Sequence, residues 1–153
     1  MSENSPSGQR HGRILRGEAE KTIKDLIKEQ FGVDLEELEL KFYIGGKGRV
    51  YAYRECEFDD IAKHKGIYFG TLERDGLRLS IEGSFIVGKL ARKNVIELDD
   101  LLALKWLSGE DIETNVYGYH IVKWKGKDYF LGCGKGNGRI LRNFVPKDRR
   151  INK

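Results

Sequence analysis

The stretch GYHIVKWKGKDYFLGCGKGNGRILRN, residues 118–143, decides how this chain is read. Tyr119 to Trp124 and Asp128 to Cys133 are both rich in aromatic and aliphatic residues. Lys125-Gly126-Lys127 supplies a turn between them, so the two runs predict a β-hairpin. A third strand, Arg139 to Phe144, follows the loop Gly134-Lys135-Gly136-Asn137-Gly138, and Pro146 ends the regular part. Alternation sends every second aromatic of such strands into the core, so Trp124, Tyr129 and Phe144 read as packing residues. The glycines invite a phosphate loop, but the register refuses it. Counted from Gly132, the third glycine of a GxGxxG fingerprint falls on Asn137; counted from Gly134 it falls on Arg139; and no Gly-Lys pair precedes Ser or Thr. A flexible turn is the better reading, with Lys135 at its apex.

Towards the N terminus the pattern mixes helices and hairpins. Leu98 to Leu107 predicts a helix, with Asp99 and Asp100 near its start and Gly109 beyond its end, and Phe85 to Ala91 a shorter one. Ile67 to Glu73 and Leu77 to Ile81 form a hairpin through Asp75-Gly76, and Phe58 to His64 a short helix. Another hairpin joins the alternation Leu38 to Ile44 with Arg49 to Tyr53 through Gly45-Gly46-Lys47-Gly48. Ala19, Ile23, Leu26, Ile27 and Phe31 recur at helical spacing before Gly32, which places a helix over 18–31. The expected architecture is α+β: a flexible basic arm at 1–16, an N-terminal α+β domain at 17–81 and a C-terminal domain at 82–153.

Charge is distributed unevenly. The 153 residues carry 28 basic and 24 acidic side chains, a net of +4. Residues 121–153 alone hold ten basic side chains against Asp128 and Asp148, a net of +8. The arm adds +2 through Arg10, Arg13 and Arg16 against Glu3, leaving residues 17–120 at −6. A segment so polarised repels itself unless it meets a polyanion, so an anion-binding C-terminal face is expected.

Other chemistries find little support. Cys56 and Cys133 are far apart and give neither a disulfide framework nor a CxxC motif, so both are expected as reduced thiols. Glu55, Glu57, Asp59 and Asp60 followed by His64 resemble a hard-metal or acid/base cluster. Acids ahead of a short helix and a histidine near its end are, however, what the helix dipole favours. Cys56 with His64 leaves any metal site incomplete. Neither catalytic residue, metal nor cofactor is therefore expected. No apolar run approaches the roughly 20 residues that span a bilayer. The opening MSENSPSGQRHGR lacks the apolar centre of a secretory signal, so a cytoplasmic location without a membrane partner is expected.

Three motifs in order then resemble a known family: Leu107-Ser108-Gly109-Glu110, Leu131-Gly132-Cys133-Gly134-Lys135, and Asn143 with Pro146, Lys147 and Arg150. Residues 97–150 are similar to the PUA-like domain appended to Nop/Sun-type RNA cytosine-5 methyltransferases. The resemblance implies a mixed-strand pseudobarrel that binds structured RNA, either ribosomal or transfer RNA. The catalytic Pro-Cys or Thr-Cys of those enzymes has no counterpart, since Cys56 follows Glu55 and Cys133 follows Gly132. A small α+β domain ahead of a PUA-like one also resembles ribosome-biogenesis factors of the same superfamily. The expectation is a non-catalytic RNA-binding protein of rRNA maturation or RNA modification, working beside a methyltransferase or pre-ribosomal proteins. Its expected RNA contacts are Lys135, Arg139, Arg142, Asn143, Lys147, Arg149 and Arg150, with Asn143 either fixing a turn or contacting RNA, Arg139 and Arg142 on opposite faces of one strand so that one of the pair binds, and the basic arm folding onto the same RNA. The rival is a protein–protein adaptor whose acidic middle docks a modification enzyme or ribosomal protein.

Overall fold

A computed structural model of the protein describes residues 16–54 and 66–151. Helix α1 (Arg16–Phe31) forms where Ala19, Ile23, Ile27 and Phe31 recur every fourth residue, and none of the four is more than 2% exposed. It packs on a four-stranded antiparallel sheet of order β1-β2-β3-β4, built from β1 (Leu40–Ile44), β2 (Arg49–Arg54), β3 (Ile67–Glu73) and β4 (Gly76–Leu79). The outer edge of β4 is finished by a side chain. Gln30 of α1 accepts from the Leu77 amide at 2.7 Å and donates to the Leu77 carbonyl at 3.0 Å, standing in for a neighbouring strand.

Helix α2 (Ile81–Gly88), capped by Ser80, leads into a second sheet. Its strands are β5 (Val95–Leu98), β6 (Ile112–Glu113), β7 (Tyr117–Trp124), β8 (Phe130–Asn137) and β9 (Ile140–Arg142), in the order β5-β7-β8-β9-β6. β5 runs parallel to β7 and the other pairs are antiparallel, with α3 (Asp100–Leu107) crossing between β5 and β6. One face, carrying Tyr119, Ile121, Phe130 and Cys133, shares a core with α1, α2 and the first sheet. The other face, carrying Val122, Leu131 and Leu141, closes against Ala103 and Trp106 of α3 and Val145. Leu131 and Cys133 reach opposite faces because of a bulge: Ile121 pairs with Cys133 and Lys123 with Phe130, so Leu131 and Gly132 together oppose Val122. Gly132 at φ 106° supplies the conformation that the extra residue needs.

Several elements depart from the sequence expectations. The run Gly134 to Asn137 is strand, not loop, and Lys135 sits inside β8 rather than at the apex of a turn. The reason is packing: a Cβ on Gly134 would lie 2.6 Å from Trp106 Cη2 and 2.7 Å from the Arg142 carbonyl oxygen. The glycine lets the fully buried Trp106 approach the sheet and donate from Nε1 to the Leu131 carbonyl at 2.9 Å. The helix expected at 85–91 begins at Ile81, where Ser80 Oγ accepts from the Gly83 amide at 2.9 Å. The helix expected from Leu98 begins at Asp100, because Asp99 caps it and the preceding apolar run pairs with β7 as β5. The last strand is only Ile140–Arg142, and α1 opens at Arg16, two residues early. Tyr129 is 56% exposed rather than packed, meeting Trp124 edge-on at 6.3 Å. The helix expected at Phe58 to His64, with Cys56 and the acidic cluster around it, lies outside the described residues, as do Arg10 and Arg13. Among the described residues no helix is long and apolar enough to cross a membrane.

Candidate nucleic-acid interface

Register aligns Tyr119 of β7 with Lys135 of β8, and Lys135 with Arg142 of β9, so the three side chains form one row across the second sheet. Like charges directly opposite on neighbouring strands repel. The β3–β4 turn relieves this by leaning over the row with Asp75. Its carboxylate accepts from the Tyr119 hydroxyl at 2.8 Å and forms an ion pair with the Lys135 ammonium. Lys135 first, and then the Tyr119 hydroxyl, hold the Asp75 carboxyl below the usual carboxylate range. Burial first, then the Asp75 charge beside it, pushes the Tyr119 phenol upward.

Between the β3–β4 turn and the row lies an open hollow of about 930 Å³, bordered by Arg74, Asp111, Asn137, Arg142 and Phe144. A second hollow of about 190 Å³ lies on the other side of Phe144, bordered by Tyr68, Arg78, Ser80, Pro146 and Arg149. Phe144 is the wall between them. The Arg78 guanidinium sits over its ring at 4.5 Å and that of Arg142 at 5.7 Å. Arg78 also pairs with Glu73 at 3.2 Å, and Arg149 with Glu82 at 3.2 Å.

The structure sorts the seven residues singled out from the sequence. Lys135 and Arg142 share the row, and Arg149 borders the smaller hollow. Arg139 occupies the tight β8–β9 turn, which Asn137 Oδ1 shapes by accepting from the Arg139 and Ile140 amides at 2.9 and 3.0 Å. Arg139 thus precedes β9 instead of sharing a strand with Arg142, and Lys147 is exposed in a short 3₁₀ turn, Lys147–Arg149. Among the described residues no ion pair holds Arg139, Arg142 or Lys147. Two residues serve the fold. Asn143 Nδ2 donates to the carbonyls of Trp106 at 2.7 Å and Glu110 at 2.9 Å, while its Oδ1 accepts from the Val145 amide at 2.7 Å. Arg150 Nε donates to the Val145 carbonyl at 3.0 Å and lies where a Cβ on Gly109 would meet it.

The sequence reading missed Arg74, Asp75 and Arg78. Arg78 between Leu77 and Leu79 signals a side chain turned from the core, but nothing local tells which sheet the hairpin tip will meet. Cys133 is buried, and burial pushes its thiol up to about 12, so it stays protonated and poorly nucleophilic at neutral pH. Among the described residues no three of His, Cys, Asp and Glu group as a metal site.

A mixed five-stranded sheet is thus closed on one face by a helix and carries a cationic row on the other. Residues 93–151 match the family described as Methyltransferase RsmF PUA domain, and the whole is an α+β fold with a PUA-like pseudobarrel. Among individual proteins, Ribosomal RNA small subunit methyltransferase F of Aeromonas salmonicida (strain A449) is 30% identical over 86 residues, covering 54% of this chain and 18% of that enzyme. The chain thus spans less than a fifth of the length of this relative. Its name makes the relative a methyltransferase of small-subunit ribosomal RNA.

Proposed function

We propose that the protein binds structured RNA, in ribosomal RNA maturation or RNA modification, and contributes grip rather than chemistry. The observation that carries this reading is the cationic row on a PUA-like sheet. Lys135 and Arg142 stand side by side, and Arg139 and Lys147 add charge beyond them that no ion pair among the described residues offsets. Such side chains neutralise phosphates and release counterions, which gives affinity without sequence readout. The similarity to a ribosomal RNA methyltransferase supports RNA as the polyanion, and a methyltransferase or pre-ribosomal protein as the partner that supplies reactivity. Asn143, whose Nδ2 donates to two backbone carbonyls, holds the surface in shape, and Arg150 braces the Val145 carbonyl through Nε.

Crosslinking of the purified protein to total cellular RNA tests the reading. The wild type is expected to enrich ribosomal or transfer RNA, and the triple variant Arg139→Gln, Arg142→Gln, Lys147→Gln to lose that signal while keeping its melting temperature. An equal signal from both would remove these residues from the interface. No RNA above background would favour a protein adaptor.

A further inference from the structure

We infer that the seam between the β3–β4 hairpin and the second sheet holds an unpaired nucleotide of the bound RNA, with Phe144 and the guanidiniums of Arg78 and Arg142 as its contacts. The inference rests on the RNA-binding reading and carries it into the N-terminal half of the chain, whose net charge is acidic. Arg78 belongs to β4 and Arg142 to β9, yet both guanidiniums gather on one aromatic ring, at 4.5 and 5.7 Å. Arg78 borders the smaller hollow and Arg142 the larger, one on each side of the ring. Glu73 offsets Arg78 at 3.2 Å, and among the described residues no carboxylate pairs with Arg142. A phosphate of the same strand is the ligand that best matches the unpaired Arg142, because a planar guanidinium donates in parallel pairs to its oxygens.

The shape of the seam argues for a single strand. The hollow beside Phe144 measures about 190 Å³ and is walled by Tyr68, Ser80 and Pro146. It is smaller than the roughly 300–1,000 Å³ of pockets that enclose a drug-sized ligand. A duplex cannot enter it, whereas a base turned out from a loop or bulge can lay its flat ring against Phe144 or a guanidinium plane. An acidic peptide would match the charge but has no flat group for this wall.

Fluorescence anisotropy of a labelled single-stranded decauridylate, titrated with the full chain at several KCl concentrations, tests the assignment, with a duplex of equal length as comparison. Arg78→Gln is expected to weaken binding of the single strand and to flatten the plot of log affinity against log salt by about 0.7, one phosphate contact. Phe144→Leu keeps an apolar wall but removes the stacking face. It should weaken single-strand binding about five-fold or more with an unchanged salt slope, and leave duplex binding as it was. Glu73→Gln releases Arg78 and is expected to tighten binding. Near-wild-type affinity in both Arg78→Gln and Phe144→Leu overturns the seam, and if the Arg139, Arg142, Lys147 variant still loses binding, the general RNA reading survives. Equal losses on duplex and single strand in Phe144→Leu overturn the unpaired base. Polyglutamate that competes as well as the RNA at matched charge shows an acidic-peptide site instead. A wild type with no salt-dependent binding removes both readings.

Discussion

The two faces of the second sheet are built from the same strands and do opposite work. On the face towards α3, Gly134 leaves out its side chain so that Trp106 can be buried, and the space is filled. On the other face, one residue along β8, Lys135 stands in a charged row that the β3–β4 turn covers only in part. One motif therefore supplies structure through its even-numbered residues and surface through an odd one. A glycine-rich run is not a single functional object, and each position takes its meaning from the face it points to.

The contrast can be broken most forcefully at Gly134. Gly134→Ala places a methyl group against Trp106, Leu141 and the Arg142 backbone, and should cost about 3 kcal/mol in urea unfolding. Lys135→Ala next to it should cost less than about 1 kcal/mol, as an exposed ion pair does. Asn143→Ala leaves the Trp106 and Glu110 carbonyls without their donor and is expected to cost about 2 kcal/mol. Replacing the neighbouring Arg142 by Ala should leave stability within about 0.5 kcal/mol. Tyr119→Phe, which removes one hydrogen bond to Asp75, should cost about 1 kcal/mol.

The pH dependence sharpens the charged side. Because the folded-state pKa of Asp75 is lowered, its contribution is present above the ordinary carboxylate range and is lost as pH falls through the lowered value. The stability difference between wild type and Asp75→Asn should therefore shrink below about pH 4. The raised Tyr119 phenol behaves in the opposite sense, its contribution being present below the ordinary tyrosine range and lost only as pH rises through the raised value. Tyr119→Phe should thus remove no tyrosinate absorbance near pH 10, where ordinary tyrosines ionise.

Much of this was legible in the sequence, and the reasons for the rest are specific. Periodicity located α1, the two N-terminal hairpins and the β7–β8 pair, because each is a local pattern bounded by its own turn. The parallel β5–β7 pairing was hidden, since its partners lie more than twenty residues apart and Asp99 alone separates strand from helix. Gly134 to Asn137 was read as a loop because glycine propensity outweighs the need of a buried tryptophan for space, which only the fold reveals. For the proposed interface, the basic character of the C-terminal segment singled out Lys135 and Arg142, which the fold sets side by side. Arg78 could not be found that way, since it sits in a segment of net negative charge and reaches Phe144 only through tertiary packing. Arg150 read as an RNA contact and Asn143 as a turn former or an RNA contact, yet Asn143 Nδ2 and Arg150 Nε donate to carbonyls that no local pattern names.

The most direct test of the account is a ¹H–¹⁵N correlation spectrum of the full chain titrated with a structured ribosomal RNA fragment. The account predicts that shifts cluster at Arg74 to Arg78, Tyr119, Lys135, Arg139, Arg142 and Phe144 and fade together as salt is raised. Shifts confined to the exposed Leu101 and Leu104 side of α3, or none at saturating RNA, would contradict it.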